Sequence, residues 1–153
     1  MPAGTIYMYY ARGKDSFNIS CQGEGNAVLV KGGVPYIDNI SPQSSLNIMH
    51  ALNPTTDGSQ RNTNKLCSGQ TLICKSLGLK LPEWDGKNFF YDKLWVEDIG
   101  YRPEKIIQTK RIGIPAGRDE HLEYRFVDHA HADSATSNPL TKKLKDYRII
   151  NNV

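Results

Sequence analysis

The chain has 153 residues, of which 39% are hydrophobic and 23% charged, with 13 glycines, 8 prolines and a formal net charge of +3. That balance excludes a disordered or low-complexity chain and suffices for one domain with its own core, residues 1–153. The mild positive charge suits an anionic partner such as a cell wall, a membrane surface or nucleic acid without selecting one.

Strands are expected first. "TIYMYYARG", "FNISCQGEGN" and "NAVLVKGGVPYID" are rich in β-branched and aromatic residues and separated by glycine turns, giving a β-rich subelement over residues 1–40. "SPQSSLNIMHAL", residues 41–52, offers Ser41 as a helix N-cap and Pro42 at N1, with Leu46, Met49 and Leu52 at helical spacing. Residues 53–64 form a polar loop. A second helix runs from Ser68 and stops at Gly78, with Pro82 beyond it. An aromatic connection follows, with Trp84, Phe89, Phe90, Tyr91 and Trp95. "EKIIQTKRIGI", "EHLEYRFVD" and "KKLKDYRIINN" read as closing strands, the second with alternating faces. The order implies an α+β domain with helices packed on an antiparallel sheet.

Cys67 opens the second helix, where unpaired N–H groups and the helix dipole favour a thiolate. Ser68 and Gly69 are small enough to admit a carbonyl, and backbone N–H groups there could form an oxyanion hole. The competing reading makes Cys67 a small core residue. A nucleophilic cysteine needs a base, and His121, just after a glycine-containing turn, is the candidate among four histidines. Asp128, His129, His131 and Asp133 are each able to orient it. His50 reads as a surface or core residue. Cys74 reads as packing, and a Cys21–Cys74 disulfide stays open.

"CSGQTLICKSLGLKLP" resembles the active-site helix of the NlpC-type papain-like cell-wall peptidases, a Cys-Ser-Gly start followed by a Leu-Gly-x-x-Leu-Pro segment. The resemblance implies a papain-like core over residues 41–153, with Cys67 as nucleophile and His121 as base. It makes Asp133 or His131 the third residue, with Ser68 and Gly69 near the oxyanion; "GVPY" suggests Tyr36 as a further contributor. The implied reaction is cysteine amidase or endopeptidase hydrolysis of an amide in the peptide stem of peptidoglycan, with no cofactor. Type VI secretion amidase effectors share that fold, which implies an injected antibacterial toxin with a cognate immunity protein and no nucleic-acid partner. The start carries neither a secretory signal nor a membrane span, so export to a target cell's wall would follow a non-classical route.

Three rivals accompany this reading. Papain-like toxins also include deamidases, transglutaminases and proteases acting on proteins. "HAHAD" places His129, His131 and Asp133 at alternate positions, which on a strand would share a face and could ligate zinc. A non-catalytic binding module would use Cys67 only for packing.

Overall fold

The computed structural model describes residues 1–90, 93–143 and 145–151, so Tyr91 of the aromatic connection, and Leu144 and Asn152 of the last expected strand, lie outside the described residues. The chain divides into two compact units, Met1–Glu97 and Asp98–Val153. Each holds a three-stranded antiparallel sheet; the α-helices described all lie in the first unit, and the second adds only 3-10 segments.

In the first unit, β1 (Ile6–Ala11) and β2 (Lys14–Ser20) form a hairpin, and β3 (Ala27–Leu29) adds to β2. The connecting pair Arg12-Gly13 has φ of 51° and 73°, the two left-handed residues of a turn whose twist matches the strands. Alternation then sorts the side chains. Ile6, Met8 and Phe17 are buried, whereas Tyr7 and Tyr9 point to the opposite face. The outer edge of β1 is closed by residues 85–88: Ile6 N–H donates to the Lys87 carbonyl (2.8 Å) and Gly86 N–H to the Ile6 carbonyl (2.9 Å). Asp85 accepts from Met8 N–H at 2.8 Å. "VPYID" forms no strand.

Helix α1 spans Ser45–Leu52, starting later than Ser41 and Pro42 suggest. Asp38 is the reason: its Oδ1 accepts from both Ser41 N–H (2.9 Å) and Ser41 Oγ (2.8 Å), fixing Ser41 in a turn ahead of the helix. Helix α2 is Gln70–Ser76, capped by Gly69 at φ 134°. Its end matches the sequence. Gly78 (φ 65°) follows the last turn, with Gly78 N–H on the Lys75 carbonyl (3.0 Å) and Leu79 N–H on the Cys74 carbonyl (2.8 Å), a Schellman closure. The aromatic connection begins with a short helix, α3 (Leu81–Trp84), which Pro82 pre-organises and whose first N–H, that of Leu81, donates to Asp15 at 3.0 Å. Leu66, Cys67, Ile73, Cys74 and Leu79 form one core with Ile6, Met8 and Phe17, and Trp84, Phe89 and Leu94 pack against it. The expected boundary at residue 40 falls inside this unit, since strands and helices bury the same apolar surface.

In the second unit β4 (Lys105–Thr109) is central, between β5 (Arg125–Asp128) and β6 (Tyr147–Asn151). β5 is shorter than "EHLEYRFVD" implies, and His121 lies in the turn before it. His129–Ser134 is a 3-10 helix, not a strand. The strand on which His129, His131 and Asp133 would share a face is therefore not formed; the segment is kinked at His131. Among the described residues no three His, Cys, Asp or Glu side chains are grouped to hold a metal.

Candidate functional site

The Leu66–Gly69 turn is buried and heavily hydrogen-bonded. Leu66 and Cys67 are 0% and 4% exposed. The Leu66 carbonyl accepts from Asn53 Nδ2 and from Ser76 Oγ, both at 2.8 Å. Asn53 Nδ2 also donates to Ser76 Oγ (3.1 Å) and to the Leu72 carbonyl (3.2 Å). The Cys67 carbonyl takes Gly33 N–H (3.0 Å) and Gly69 N–H (2.9 Å), so the Gly69 donor is already engaged inside the turn. Gly32 is packed so closely that a Cβ would stand 3.0 Å from the Cys67 carbonyl oxygen and 3.1 Å from Gly69 N. Burial pushes the Cys67 thiol above its ordinary value, against a weaker opposing hydrogen bond with Ser76. That direction is the reverse of the thiolate a helix start would favour. All three cysteines are free thiols, so Cys21 and Cys74 form no disulfide.

The other residues singled out by sequence fall in both units. Tyr36 is 70% exposed, and Ser68 donates its N–H to the Lys65 carbonyl at 3.3 Å. Cys67, Ser68, Gly69 and Tyr36 belong to the first unit, whereas His121, His131 and Asp133 belong to the second. His121 and Asp133 are exposed. His131 Nε2 lies 3.8 Å from Asp128, which also accepts from the Tyr101 hydroxyl at 2.7 Å and raises the Tyr101 pKa.

A different constellation stands on the hairpin face that carries Tyr7 and Tyr9. Tyr7 and Tyr9 have ring centroids 5.9 Å apart, tilted by 35°, and Tyr7 is 39% exposed. In register opposite them on β2 are Asn18 and Ser16. Asn18 Nδ2 donates to the Tyr7 carbonyl at 3.1 Å, and the fully buried Ser16 hydroxyl has no hydrogen-bond partner among the described residues. Arg12, in the turn, and Lys14, directly after it, are exposed. Paired aromatic faces beside a cationic tip can stack a flat ring and hold an attached anion. Sequence reasoning passed over this pair by treating its tyrosines as strand formers. The available signal was aromatic alternation at i, i+2 running into a basic two-residue turn.

A family model described as methylpurine-DNA glycosylase matches residues 1–132. A Pseudomonas aeruginosa PAO1 protein assigned as 3-methyladenine DNA glycosylase is 52% identical over 153 residues, covering 98% of this chain and 64% of its own length. A Pseudomonas savastanoi pv. phaseolicola protein of the same assignment is 56% identical over 142 residues, with coverages of 93% and 64%. One from Chlorobaculum parvum is 29% identical over 151 residues. The chain thus spans 64% of the length of the first of these relatives.

These matches overturn the NlpC resemblance and what it carried: the peptidoglycan amidase, the cysteine-hydrolase chemistry, the injected toxin with its immunity protein and the export to a target wall. The protein-modifying toxin and non-catalytic module fall with it, and the papain-like core loses its support. The exclusion of nucleic acid is reversed as well, because DNA is the partner that the matched family names. The misleading motif has a physical explanation. Gly69 caps α2, Gly78 closes it and Pro82 starts α3, so the shared letters spell helix starts and stops, which unrelated folds need equally.

Proposed function

The chain belongs to the methylpurine-DNA glycosylase family, and from that premise we propose that it binds DNA through the β1–β2 hairpin and takes part in the hydrolytic release of a methylated purine. A base stacked in a duplex hides the bond to be cut, so such an enzyme extrudes the nucleotide and stacks the base on aromatic side chains. Methylation at a ring nitrogen gives the purine a positive charge, which the electron-rich faces of Tyr7 and Tyr9 attract more strongly than a neutral base. Arg12 and Lys14 at the tip suit the phosphates on either side. Ser16 Oγ, buried in register with Tyr9 and without a partner among the described residues, gains one if the ring shifts for a ligand.

In the reaction, water's oxygen attaches to the sugar carbon and gives up one proton to solvent, while the base departs with the electrons of the broken carbon–nitrogen bond, which neutralise its charge. The carboxylates beside the hairpin are otherwise engaged. Asp15 accepts from Leu81 N–H and Asp85 from Met8 N–H. The reading therefore gives the hairpin the binding and orientation of the base, not the activation of water.

The observation carrying this reading is that the tyrosine pair and its basic tip fall within the matched residues 1–132. The test is equilibrium binding of a duplex bearing one methylated purine, against its unmodified counterpart. Wild type should prefer the methylated duplex, and Tyr9→Ala should weaken that binding about tenfold, given roughly 1–3 kcal/mol per stacked base. Equal binding of both duplexes, or a Tyr9→Ala variant that binds like wild type, overturns it.

A further inference from the structure

Beyond the hairpin, the first unit carries a groove of about 450 Å³ lined by Pro82, Glu83, Trp84, Lys87, Phe90 and Lys93. That volume is within the roughly 300–1,000 Å³ typical of small-molecule sites. Its walls are fixed by backbone. Lys87 donates its N–H to the Trp84 carbonyl (3.2 Å), and its own carbonyl is held by Ile6 of β1 (2.8 Å). On the other side, Phe90 and Leu94 exchange both backbone hydrogen bonds at 2.9 Å, and Lys93 N–H reaches the Phe90 carbonyl at 3.0 Å. The Trp84 ring is anchored against the core, with Lys87 Nζ 5.9 Å from its centre. Phe90 is 47% exposed.

We propose that this groove is a second nucleic-acid subsite, which takes one unpaired nucleotide of a single strand irrespective of its base. Two aromatic faces give a base something to stack on, and two ammonium groups meet its phosphate. Such a combination grips single strands without reading sequence. The lining offers two cations against the one carboxylate of Glu83, so the charge balance favours an anion. The choice of nucleic acid over an acidic peptide rests on the glycosylase reading; the geometry of the groove does not. Backbone bonds of residues 86–88 to the edge of β1 tie the groove to the strand that bears Tyr7 and Tyr9.

The chain has two tryptophans, which makes the test direct. In a Trp95→Phe background Trp84 is the sole indole reporter, and a single-stranded thymidine oligomer should quench it. Lys87→Gln and Lys93→Gln should each lower the slope of log affinity against log salt by about 0.7, the value per phosphate contact for single strands. Glu83→Gln should tighten binding, an effect that a purely structural carboxylate would not produce. The proposal is overturned if the oligomer leaves Trp84 emission unchanged, if neither lysine variant alters the salt slope, or if polyglutamate quenches Trp84 and the oligomer does not. Measuring duplex binding on the same Trp95→Phe protein, with Tyr9 intact, separates the two readings. Quenching that persists while methylated and unmodified duplexes bind equally sinks the hairpin reading alone, whereas selective duplex binding with a silent Trp84 sinks the groove alone.

Discussion

The Cys67 turn and the tyrosine face of the hairpin lie in the same unit and have opposite character. Around Cys67 the buried backbone is densely bonded: the Leu66 and Cys67 carbonyls each accept twice, and the thiol is buried. On the hairpin, by contrast, aromatic rings stand half-exposed beside a buried hydroxyl that has no partner among the described residues, and Arg12 and Lys14 put cations in and beside the left-handed turn. Apart from Asn53 Oδ1, which is buried without a partner among the described residues, the first arrangement uses its hydrogen bonds to hold the chain together. The second keeps capacity in reserve for a ligand. A conspicuous cysteine is therefore a poorer guide to chemistry than an unremarkable pair of tyrosines.

If that contrast is right, mutations in the two regions should fail in different ways. Removing the Asn53 amide with Asn53→Ala deletes donors to the Leu66 carbonyl, the Leu72 carbonyl and Ser76 Oγ at a site that is 0% exposed. A loss of about 2–3 kcal/mol in unfolding free energy is expected by denaturant titration, since buried acceptors lose their partner. Below the unfolding transition, DNA binding should be retained. A variant that keeps full stability would show that the turn does not hold the helices to the sheet.

The hairpin tip should behave inversely. Arg12 occupies φ 51°, a region costing a non-glycine residue about 1 kcal/mol. Arg12→Gly should therefore raise stability slightly, by up to about 1 kcal/mol, while weakening DNA binding and lowering its salt slope by about 0.9. Gain in one quantity with loss in the other identifies a residue kept for its charge. Loss of both would make Arg12 a structural element and blur the comparison.

How much of this was legible in the sequence depends on the range of the forces involved. Local rules placed β1 and β2, the end of α2 at Gly78 and the helical spacing of Leu46 and Met49, because capping and alternation act within a few residues. The start of α1 was misread, because the Asp38 carboxylate captures Ser41 before it can cap. The 3-10 form of His129–Ser134 was equally hidden. Asp128 accepts from Ala130 N–H at 2.9 Å and turns the chain into a helix where the sequence reads as a turn and loop. The site was less legible than the fold. Burial of Cys67 depends on Ile6, Met8 and Phe17, about fifty to sixty residues away along the chain, and no local pattern around "CSG" carries that information. For Tyr7 and Tyr9, alternation did establish that they share a face; which face stays open is decided by what packs beneath Ile6 and Met8.

The smallest expected effect tests whether the buried side is as inert as its packing implies. Cys74 is 1% exposed, and burial, reinforced by the nearby Asp15 charge and opposed by Lys80, pushes its thiol from 9.0 up to about 11. Below pH 9 the thiol is neutral in both folded and unfolded chains, so its contribution to stability is fully present. Between pH 9 and about 11 the unfolded chain sheds the proton while the native chain keeps it, which favours unfolding. Stability should therefore decline with rising pH across that window, and the decline should be shallower in Cys74→Ala. Tyrosine ionisation affects both proteins alike and cancels in the difference between them. Denaturant midpoints measured from pH 8 to 11 check the expectation. Parallel curves would mean that the Cys74 thiol ionises as readily in the folded core as outside it, and the sharp division between a sealed turn and an open hairpin would have to be redrawn.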